Sequence, residues 1–197
     1  MPDNINEKNL KRVRFLESER LFLTPINEDD MDFHYFWDHE RETQALDGGT
    51  HRPQNYENYK KEYYKDVYNN KKAMIFSIIL KEDGTLIGII VLFHISYFAR
   101  TCDWGLKLDK PYRRRGIGRE AARLLMEYVF EELGFVRLQS GTHHENTASI
   151  KLQESLGFVR EGVFRKARLV NGEYLDSIHF AMLRDEYEKL YAQNRSR

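Results

Sequence analysis

The segment Tyr112–Ala121, YRRRGIGREA, places three consecutive arginines directly before two glycines and a helix-forming sequence. Glycine costs backbone entropy, so two glycines at the start of a helix indicate that another molecule approaches the main chain closely. The unpaired N–H groups and the dipole of a helix start favour an anion such as a pyrophosphate, and the arginines add positive charge nearby. The segment is therefore predicted to bind a phosphorylated ligand.

Two other phosphate-binding motifs match this segment less well. Gly116, Gly118 and Ala121 satisfy the G-x-G-x-x-A pattern of a dinucleotide-binding turn. Such a turn requires an acidic residue at the end of the next strand, about 20 residues on, and that distance falls at Gly134 to Arg137. The match to a P-loop is weaker still, because no G-K-[ST] follows the glycines. A structural alternative stays open, in which the glycines make a tight turn and the arginines face solvent.

The composition favours one domain in a reducing compartment. The 197 residues can bury one good core, and the 31 basic and 31 acidic residues cancel, which argues against a nucleic-acid partner. Cys102 is the only cysteine, so no intramolecular disulfide can form. The polar N-terminus lacks a signal-peptide core, and no apolar run approaches the ~20 residues of a membrane helix. A soluble cytoplasmic protein with no membrane partner is expected.

The apolar pattern predicts a single domain over residues 18–190, a loose polar arm at 1–17 and a polar tail at 191–197. Strands are expected at 19–25, 72–80, 85–96, 102–109 and 135–142, followed by a hairpin around Asn171-Gly172. Helices are expected from Asn27, from about Asn55, over 119–133 and from Asn146 to Gly157, and the segment before Asn55 is expected to be a loop. This order predicts a mixed α/β domain with one central sheet.

Two motifs carry a family resemblance. The pattern Arg/Gln-x-x-Gly-x-Gly/Ala before a long helix, here at 113–118, resembles the acyl-CoA signature of the GNAT N-acetyltransferases. With NTASIKLQESLGF at 146–158, the chain looks most like the branch that contains ribosomal-protein N-terminal and spermidine acetyltransferases. The likeness runs from about Glu19 to Tyr187, which is nearly the whole chain.

The resemblance implies a fold and a co-substrate. The fold is α/β (α+β), with one mixed, mostly antiparallel sheet of about seven strands, about four helices, and a splay between the strands near 103–109 and 136–142. The co-substrate is acetyl-CoA, with no metal; its pyrophosphate would lie on the glycine turn and its pantetheine along the strand edge 104–108, as an extended peptide would. A main-chain N–H near Leu106 would face the thioester carbonyl. The implied binding residues are Leu106, Leu108, Arg113, Arg114, Arg115, Gly116, Ile117, Gly118, Arg119, Asn146 and Ser149.

Acetyl transfer to an amine requires a neutral nucleophile. An alkyl ammonium with a pKa of about 10.4 leaves less than about one molecule in a thousand neutral at pH 7, so a base or a water chain helps. The resemblance implies that Asp103 faces the acceptor as a catalytic residue; otherwise it is an exposed strand carboxylate. His143 and His144 are further candidates for the base, or solvated loop residues.

At the position expected to protonate the leaving thiolate, this chain differs from many members of the family. Many relatives carry a tyrosine seven residues after the helix-opening asparagine, where this chain has Gln153. Glutamine cannot donate a proton as an acid, so the catalytic role could pass to Ser149, while Asn146 would hold pantetheine through its amide. By default Ser149 is a first-turn helical serine and Asn146 an ordinary N-cap.

The predicted function is an acetyl-CoA-dependent N-acetyltransferase that acts directly on a primary amine, either a protein or peptide N-terminus or a small amine. A polyamine or aminosugar acetyltransferase and a catalytically silent acyl-CoA-binding module are the alternatives. Asp38, Glu40 and Glu42 could attract a cation, Phe33, Phe36 and Trp37 have core spacing, and tyrosines at 56, 59, 63, 64 and 68 could wall the acceptor site. A homodimer through the sheet edges is possible.

Overall fold

A computed structural model describes residues 12–47, 53–63 and 73–191 of the chain. Within these ranges one sheet contains β1 (Leu16–Glu17), β2 (Leu21–Pro25), β3 (Met74–Leu80), β4 (Leu86–Ser96), β5 (Thr101–Leu108), β6 (Arg137–His143), β7 (Val159–Val170) and β8 (Glu173–Leu183). Their spatial order is β1-β2-β3-β4-β5-β6-β8-β7, and β5 with β6 is the parallel pair among antiparallel neighbours. The mixed, mostly antiparallel sheet is confirmed, with one short strand, β1, beyond the seven expected.

Six α-helices lie within the described ranges: α1 (Met31–His39), α2 (Arg41–Asp47), α3 (Tyr56–Tyr63), α4 (Ile117–Glu127), α5 (Thr147–Ser155) and α6 (Arg184–Tyr191). Two of them were not expected from the sequence. Helix α2 buries only Thr43, so it lacks the apolar stripe by which an amphipathic helix is recognised, and α6 is a short helix of eight residues with only Tyr187 fully buried. The expectation of a loop at 41–47 is therefore wrong.

The core lies between the sheet and α4. Ala122, Leu125 and Met126 of that helix are at most 1% exposed, at the helical spacing that the sequence shows. The helix continues as a π-helical turn over Tyr128–Glu132 and ends at Gly134, whose φ of +67° suits glycine. This packing fixes the start of α4 against the sheet.

The expectation that Phe33, Phe36 and Trp37 of α1 lie in the core is only partly right. Trp37 is buried, whereas Phe33 is 46% and Phe36 59% exposed. The buried stripe of this helix runs through Met31, His34 and Trp37, so His34 takes the position facing the sheet that the sequence pattern gives to phenylalanine.

Residues 12–17, expected in the polar arm, contact the domain. The ring of Phe15 stacks on Phe76 with centroids 5.5 Å apart, and Arg12 forms an ion pair with Asp30. At the other end Tyr191 is the last residue of α6, and its hydroxyl donates to the Leu156 carbonyl at 2.8 Å. Residues 1–11 and 192–197 lie outside the described residues, and the domain boundaries at 18 and 190 stay predictions.

Strands β5 and β6 diverge along their length. Thr101 to Asp103 pair with Arg137 to Gln139, and the ladder then stops, so no strand of the described residues pairs with 104–108 on its β6 side. The predicted splay is confirmed. No helix among the described residues is both long enough and apolar enough to cross a lipid bilayer.

Candidate active site

The divergence of β5 and β6 opens a cleft of 1980 Å³. Residues 104–108 line one wall and residues 139–142 the opposite wall. The glycine turn and the first residues of α5 also line it, as do residues of β7 and β8, including Phe164, Arg168 and His179. The splay therefore gives an extended molecule access to the unpaired edge of β5.

The glycine turn forms an anion cradle at the start of α4. Gly116 is the N-cap, with φ +77° and ψ −6°, and no side chain caps the helix. The amides of Ile117, Gly118 and Arg119 have no hydrogen-bond acceptor in the described part of the chain. A Cβ on Gly118 would lie 2.9 Å from Cδ2 of Leu106, so the helix start lies close to β5. Unpaired amides at a helix N-terminus favour a phosphate group.

The three arginines of the turn have different surroundings. Arg113 donates from Nε to the Leu108 carbonyl at 2.8 Å and contacts Glu42 at 3.2 Å. The Arg115 guanidinium lies over the Tyr112 ring at 5.9 Å, outside the residues that line the cleft. Arg114 lines the cleft and forms no ion pair with the described residues. Of the three, only Arg114 brings to the cleft a charge without an acidic partner among the described residues.

Two further cations lie near the turn. Arg119 and Lys151 line the cleft without an acidic partner among the described residues. Lys151 was not identified from the sequence, because a lysine on the exposed side of a helix carries no local signal. The predicted co-substrate residues that line the cleft are Leu106, Leu108, Arg113, Arg114, Gly116, Gly118, Arg119, Asn146 and Ser149. The side chains of Arg115 and Ile117 do not, and Ile117 packs in the core.

Helix α5 presents its first turn to the cleft. Asn146 caps this helix by accepting from the Ser149 amide at 3.1 Å, and its Nδ2 donates to the Leu46 carbonyl at 2.9 Å. The amide group expected to hold pantetheine is therefore already bonded to protein. The half-buried Ser149 lines the cleft, and its hydroxyl has no partner among the described residues.

Gln153 stands where many relatives carry a tyrosine, and it is 4% exposed. Its Nε2 donates to the hydroxyl of Ser140 on β6. A neutral amide held in this way joins α5 to the sheet and has no acidic proton to give.

Asp103 bonds a histidine that was not identified from the sequence. Its Oδ2 lies 2.8 Å from Nδ1 of His94, and its Oδ1 is buried with no hydrogen-bond partner in the described residues. Since a carboxylate only accepts hydrogen bonds, Nδ1 carries the proton and Nε2 of His94 is left as a basic nitrogen. Both residues line the cleft, and the His94 side chain is 76% exposed.

The other histidines have different positions. His143 is 4% exposed and His144 is exposed, and neither lines the cleft. His179 lines it and packs on Phe164 with ring centroids 4.0 Å apart. Burial lowers the pKa of His179, the Arg168 guanidinium lowers it further, and the Asp103 carboxylate opposes both.

The acidic residues expected to attract a cation are bonded to lysines. Lys107 places Nζ 2.7 Å from a carboxylate oxygen of both Asp38 and Asp47. Burial opposes the charge of Lys107, but these two carboxylates outweigh it and raise its pKa. Lys110 pairs in the same way with Glu40 and Glu42.

Two tyrosines of α3, Tyr56 and Tyr59, pack against α1 and do not line the cleft. Tyr56 and Tyr59 lie at right angles to Tyr35, each with a centroid separation of 5.3 Å, and neither lines the cleft. Tyr64 and Tyr68 lie outside the described residues. A tyrosine wall for the acceptor therefore has no support from Tyr56 and Tyr59.

Comparison with known proteins places this architecture in a family. Residues 20–159 match the family model described as acetyltransferase (GNAT) domain. The chain is 32% identical over 111 residues to the SPbeta prophage-derived uncharacterized N-acetyltransferase YokL of Bacillus subtilis, which covers 56% of this chain and 63% of that protein. It is 33% identical over 106 residues to the putative ribosomal N-acetyltransferase YdaF of the same species, covering 54% of this chain and 58% of that protein.

A solved structure shares the fold. The spermidine N-acetyltransferase from Vibrio cholerae, crystallised in complex with CoA and spermine, superimposes with a TM-score of 0.78 at 22% identity and covers 85% of this chain and 97% of that chain. The resemblance found in the sequence is confirmed, and the chain belongs to the GNAT acetyltransferase family.

Proposed function

We propose that the protein is an N-acetyltransferase that transfers the acetyl group of acetyl-CoA, the co-substrate of its family, directly to a primary amine. The observation that carries the proposal is a single cleft with an anion cradle at Gly116–Arg119 and a His94–Asp103 pair on its lining. The unpaired edge of β5 lines one wall of that cleft.

The residues of the cleft suit acetyl-CoA. The amides of Ile117, Gly118 and Arg119 would receive the pyrophosphate, and Arg114 and Lys151 supply positive charge that no acidic side chain of the described residues pairs with. The β5 edge at Leu106 offers main-chain groups to the peptide-like pantetheine, and the Leu108 side chain lines the cleft beside it.

The acceptor must lose a proton before it attacks. Because Asp103 fixes Nδ1–H of His94, the free Nε2 takes the proton from the ammonium group, and the Asp103 carboxylate stabilises the imidazolium that forms. The neutral nitrogen then attacks the thioester carbonyl carbon.

Collapse of the tetrahedral intermediate breaks the bond between carbon and sulfur. A main-chain N–H near Leu106 would stabilise the oxyanion, as the resemblance implies. As the carbon–sulfur bond breaks, the attacking nitrogen releases its second proton to solvent, and the thiolate takes a proton from the hydroxyl of Ser149, which regains one from solvent through the open cleft. The products are the acetylated amine and CoA, and no covalent enzyme intermediate forms.

The finer substrate assignment is also a proposal: the acceptor is a protein or peptide N-terminal amine or a small amine. A polyamine acceptor is less well supported, because Asp38, Asp47 and Glu42 are held by Lys107, Lys110 and Arg113 and do not offer unpaired charge. Aminosugars remain an alternative for the test.

The test measures release of the CoA thiol from acetyl-CoA with N-terminally varied peptides, free amino acids, aminosugars and spermidine as acceptors. Release with one acceptor class, together with the acetylated product by mass spectrometry, supports the proposal. Acetyl-CoA binding with no release on any acceptor contradicts it and favours a catalytically silent acyl-CoA-binding module.

Two glycine substitutions, one at the anion cradle and one in a distant turn, test the acetyl-CoA site. Gly116→Ala forces a side chain into a conformation with φ +77° at the anion cradle and should raise the KM for acetyl-CoA about 10-fold or more. Gly172→Ala introduces the same strain at φ +87° in the β7–β8 turn and meets no atom within 4 Å. Equal effects of the two variants on this KM would contradict an anion site at Gly116.

A homodimer stays a prediction. Strand β7 forms one edge of the sheet and exposes Val163 and Phe164. Such an edge can pair with a second copy of the chain. Sedimentation equilibrium of the full chain measures whether it is a monomer or a dimer.

A further inference from the structure

One cation of the cleft belongs to a different part of the fold from the glycine turn. Arg114, Arg119 and Lys151 belong to the glycine turn or to the neighbouring helices α4 and α5, where they suit the phosphates of acetyl-CoA. Arg168 belongs to β7, is half-buried, lines the same cleft and forms no ion pair with the described residues. In the sheet, β6 and β8 lie between β7 and β5, the strand that leads into the glycine turn.

A bulge sets the position of Arg168. Phe164 pairs with Ser177 and Arg168 with Leu175, so three residues of β7 lie opposite Asp176 alone. Lys166, at the centre of the bulge, has φ +52° and donates its amide to Oδ1 of Asp176 at 2.8 Å. Bulges of this kind redirect side chains, and Phe164 and Arg168 on its two sides both line the cleft.

Strand pairing relates Arg168 to the His94–Asp103 pair through His179. His179 of β8 lies opposite Gly141 of β6, and Gln139 of the same strand lies opposite Asp103. The His179 ring also packs on Phe164, with centroids 4.0 Å apart, and Phe164 precedes the bulge that Arg168 follows. Arg168 therefore lies beyond Phe164 on the β7–β8 side of the cleft that the His94–Asp103 pair also lines.

Among the described residues, the charged side chains on this side of the cleft leave Arg168 as the cation without an acidic partner. Arg137 and Glu161 form a two-pronged ion pair and cancel. Asp103 is bonded to His94. Among the cleft-lining carboxylates of the described residues, Glu145 at the start of α5 is the one without a side-chain partner. A polycation would therefore meet few free carboxylates here, while an anion would meet Arg168.

We propose that the acceptor amine carries a carboxylate, which Arg168 binds while the amino group faces the His94–Asp103 pair. The guanidinium presents two parallel N–H groups that match the two carboxylate oxygens. A single guanidinium balances the single charge of a carboxylate, whereas a phosphate monoester would need more than one. The inference rests on the proposed function and narrows its substrate class to small molecules that carry both an amine and a carboxylate.

The experiment uses acceptors that share a chain and differ in charge at the far end: 4-aminobutyrate, 4-aminobutanamide and 1,4-diaminobutane, with glycine and glycinamide as a shorter pair. Values of kcat/KM come from CoA thiol release by the full chain. The wild-type protein should prefer at least one carboxylate over its amide by about 10- to 100-fold, the range for a charged hydrogen-bonded pair.

Arg168→Gln should abolish that preference and leave the KM for acetyl-CoA and the turnover of the amide acceptors unchanged. The ratio of the wild-type preference to the variant preference cancels the difference in amine basicity between the two acceptors, which is the same for both proteins. Arg160→Gln is the matched control, since Arg160 is an exposed arginine of the same strand that does not line the cleft. It should keep the wild-type preference.

Three results separate the possible failures. A wild-type preference for the amide or the diamine overturns the inference while the proposed function stands. An unchanged carboxylate preference in Arg168→Gln overturns the role of Arg168. Acetyl-CoA binding without CoA release on any amine overturns the proposed function, and the inference with it.

Discussion

His94 and Asp103 are joined across the β4–β5 hairpin by a hydrogen bond of 2.8 Å, although the strand register pairs Phe93 with Asp103. The ladder is irregular between Phe93 and Ser96, and His94 in this interval has φ +49°. The irregularity turns the imidazole toward the carboxylate on the neighbouring strand. A strained backbone here is the structural cost of assembling the pair.

His94→Gln should lower kcat/KM for the amine by about 100-fold at pH 7, because general base catalysis typically contributes this much or more. The deficit should shrink as the pH approaches the amine pKa of about 10.4, where the acceptor no longer needs a base. The pH profile of kcat/KM from pH 6 to 10.5 measures both effects.

His144→Gln is the control for this prediction, because His144 is exposed and lies outside the cleft lining. Asp103→Asn should follow the His94→Gln profile, since the amide no longer orients Nδ1–H as a carboxylate does. A constant deficit at every pH would indicate that His94 only shapes the site.

Ser149→Ala should lower kcat at least about 10-fold and leave the KM for acetyl-CoA nearly unchanged, because the hydroxyl acts on the departing thiolate and not on binding. Ser149→Thr keeps the hydroxyl and should recover most of the rate. Steady-state kinetics with one saturating acceptor measure both. Full kcat in Ser149→Ala would mean that solvent protonates the thiolate.

The parts of the site that follow local sequence rules could be predicted. Gly116 has the positive φ that a glycine at a helix start indicates, and Asn146 caps α5 as its position before the helix suggests. The apolar spacing of α4 likewise predicted its buried face, because that face packs on a single sheet. In each case neighbours in sequence decide the outcome.

The parts that depend on distant partners could not be predicted. The run of three arginines does not reveal which one faces the cleft, since Glu42, Leu108 and Tyr112 hold two of them. His94 and Arg168 depend on irregular strand pairing, which alternation of apolar residues does not encode. Tertiary contacts select the functional side chains from among equal candidates.

Lys107→Met should destabilise the fold by about 2 kcal/mol, because it leaves the Asp38 and Asp47 carboxylates without their shared cation. The carboxylates are 28% and 35% exposed, so the cost is below that of a fully buried pair. Urea unfolding measures the change. Adding Asp38→Asn and Asp47→Asn should recover part of it.

Lys189→Met is the matched comparison, since Lys189 and its partner Asp185 are 73% and 67% exposed. Exposed pairs contribute little, so this change should stay within about 0.5 kcal/mol. Similar losses in the two lysine variants would mean that the Lys107 pairs act as ordinary surface contacts.

Burial lowers the pKa of His34 to about 4, and the nearby carboxylates of Asp30 and Asp38 only partly oppose this effect. The unfolded chain binds the proton at the ordinary pKa of 6.5, so protons favour the unfolded state between pH 6.5 and about 4. This group's contribution to the free energy of unfolding is complete above pH 6.5 and should fall by about 2 kcal/mol between pH 7 and pH 5.

Urea unfolding of the wild-type chain and of His34→Leu at the two pH values isolates this effect from the titration of carboxylates common to both. The leucine variant should lose about 2 kcal/mol less than the wild type over the same interval, because its buried side chain takes no proton in either state. Equal losses in the two proteins would show that His34 is protonated in the native state at pH 5, and would contradict its depressed pKa.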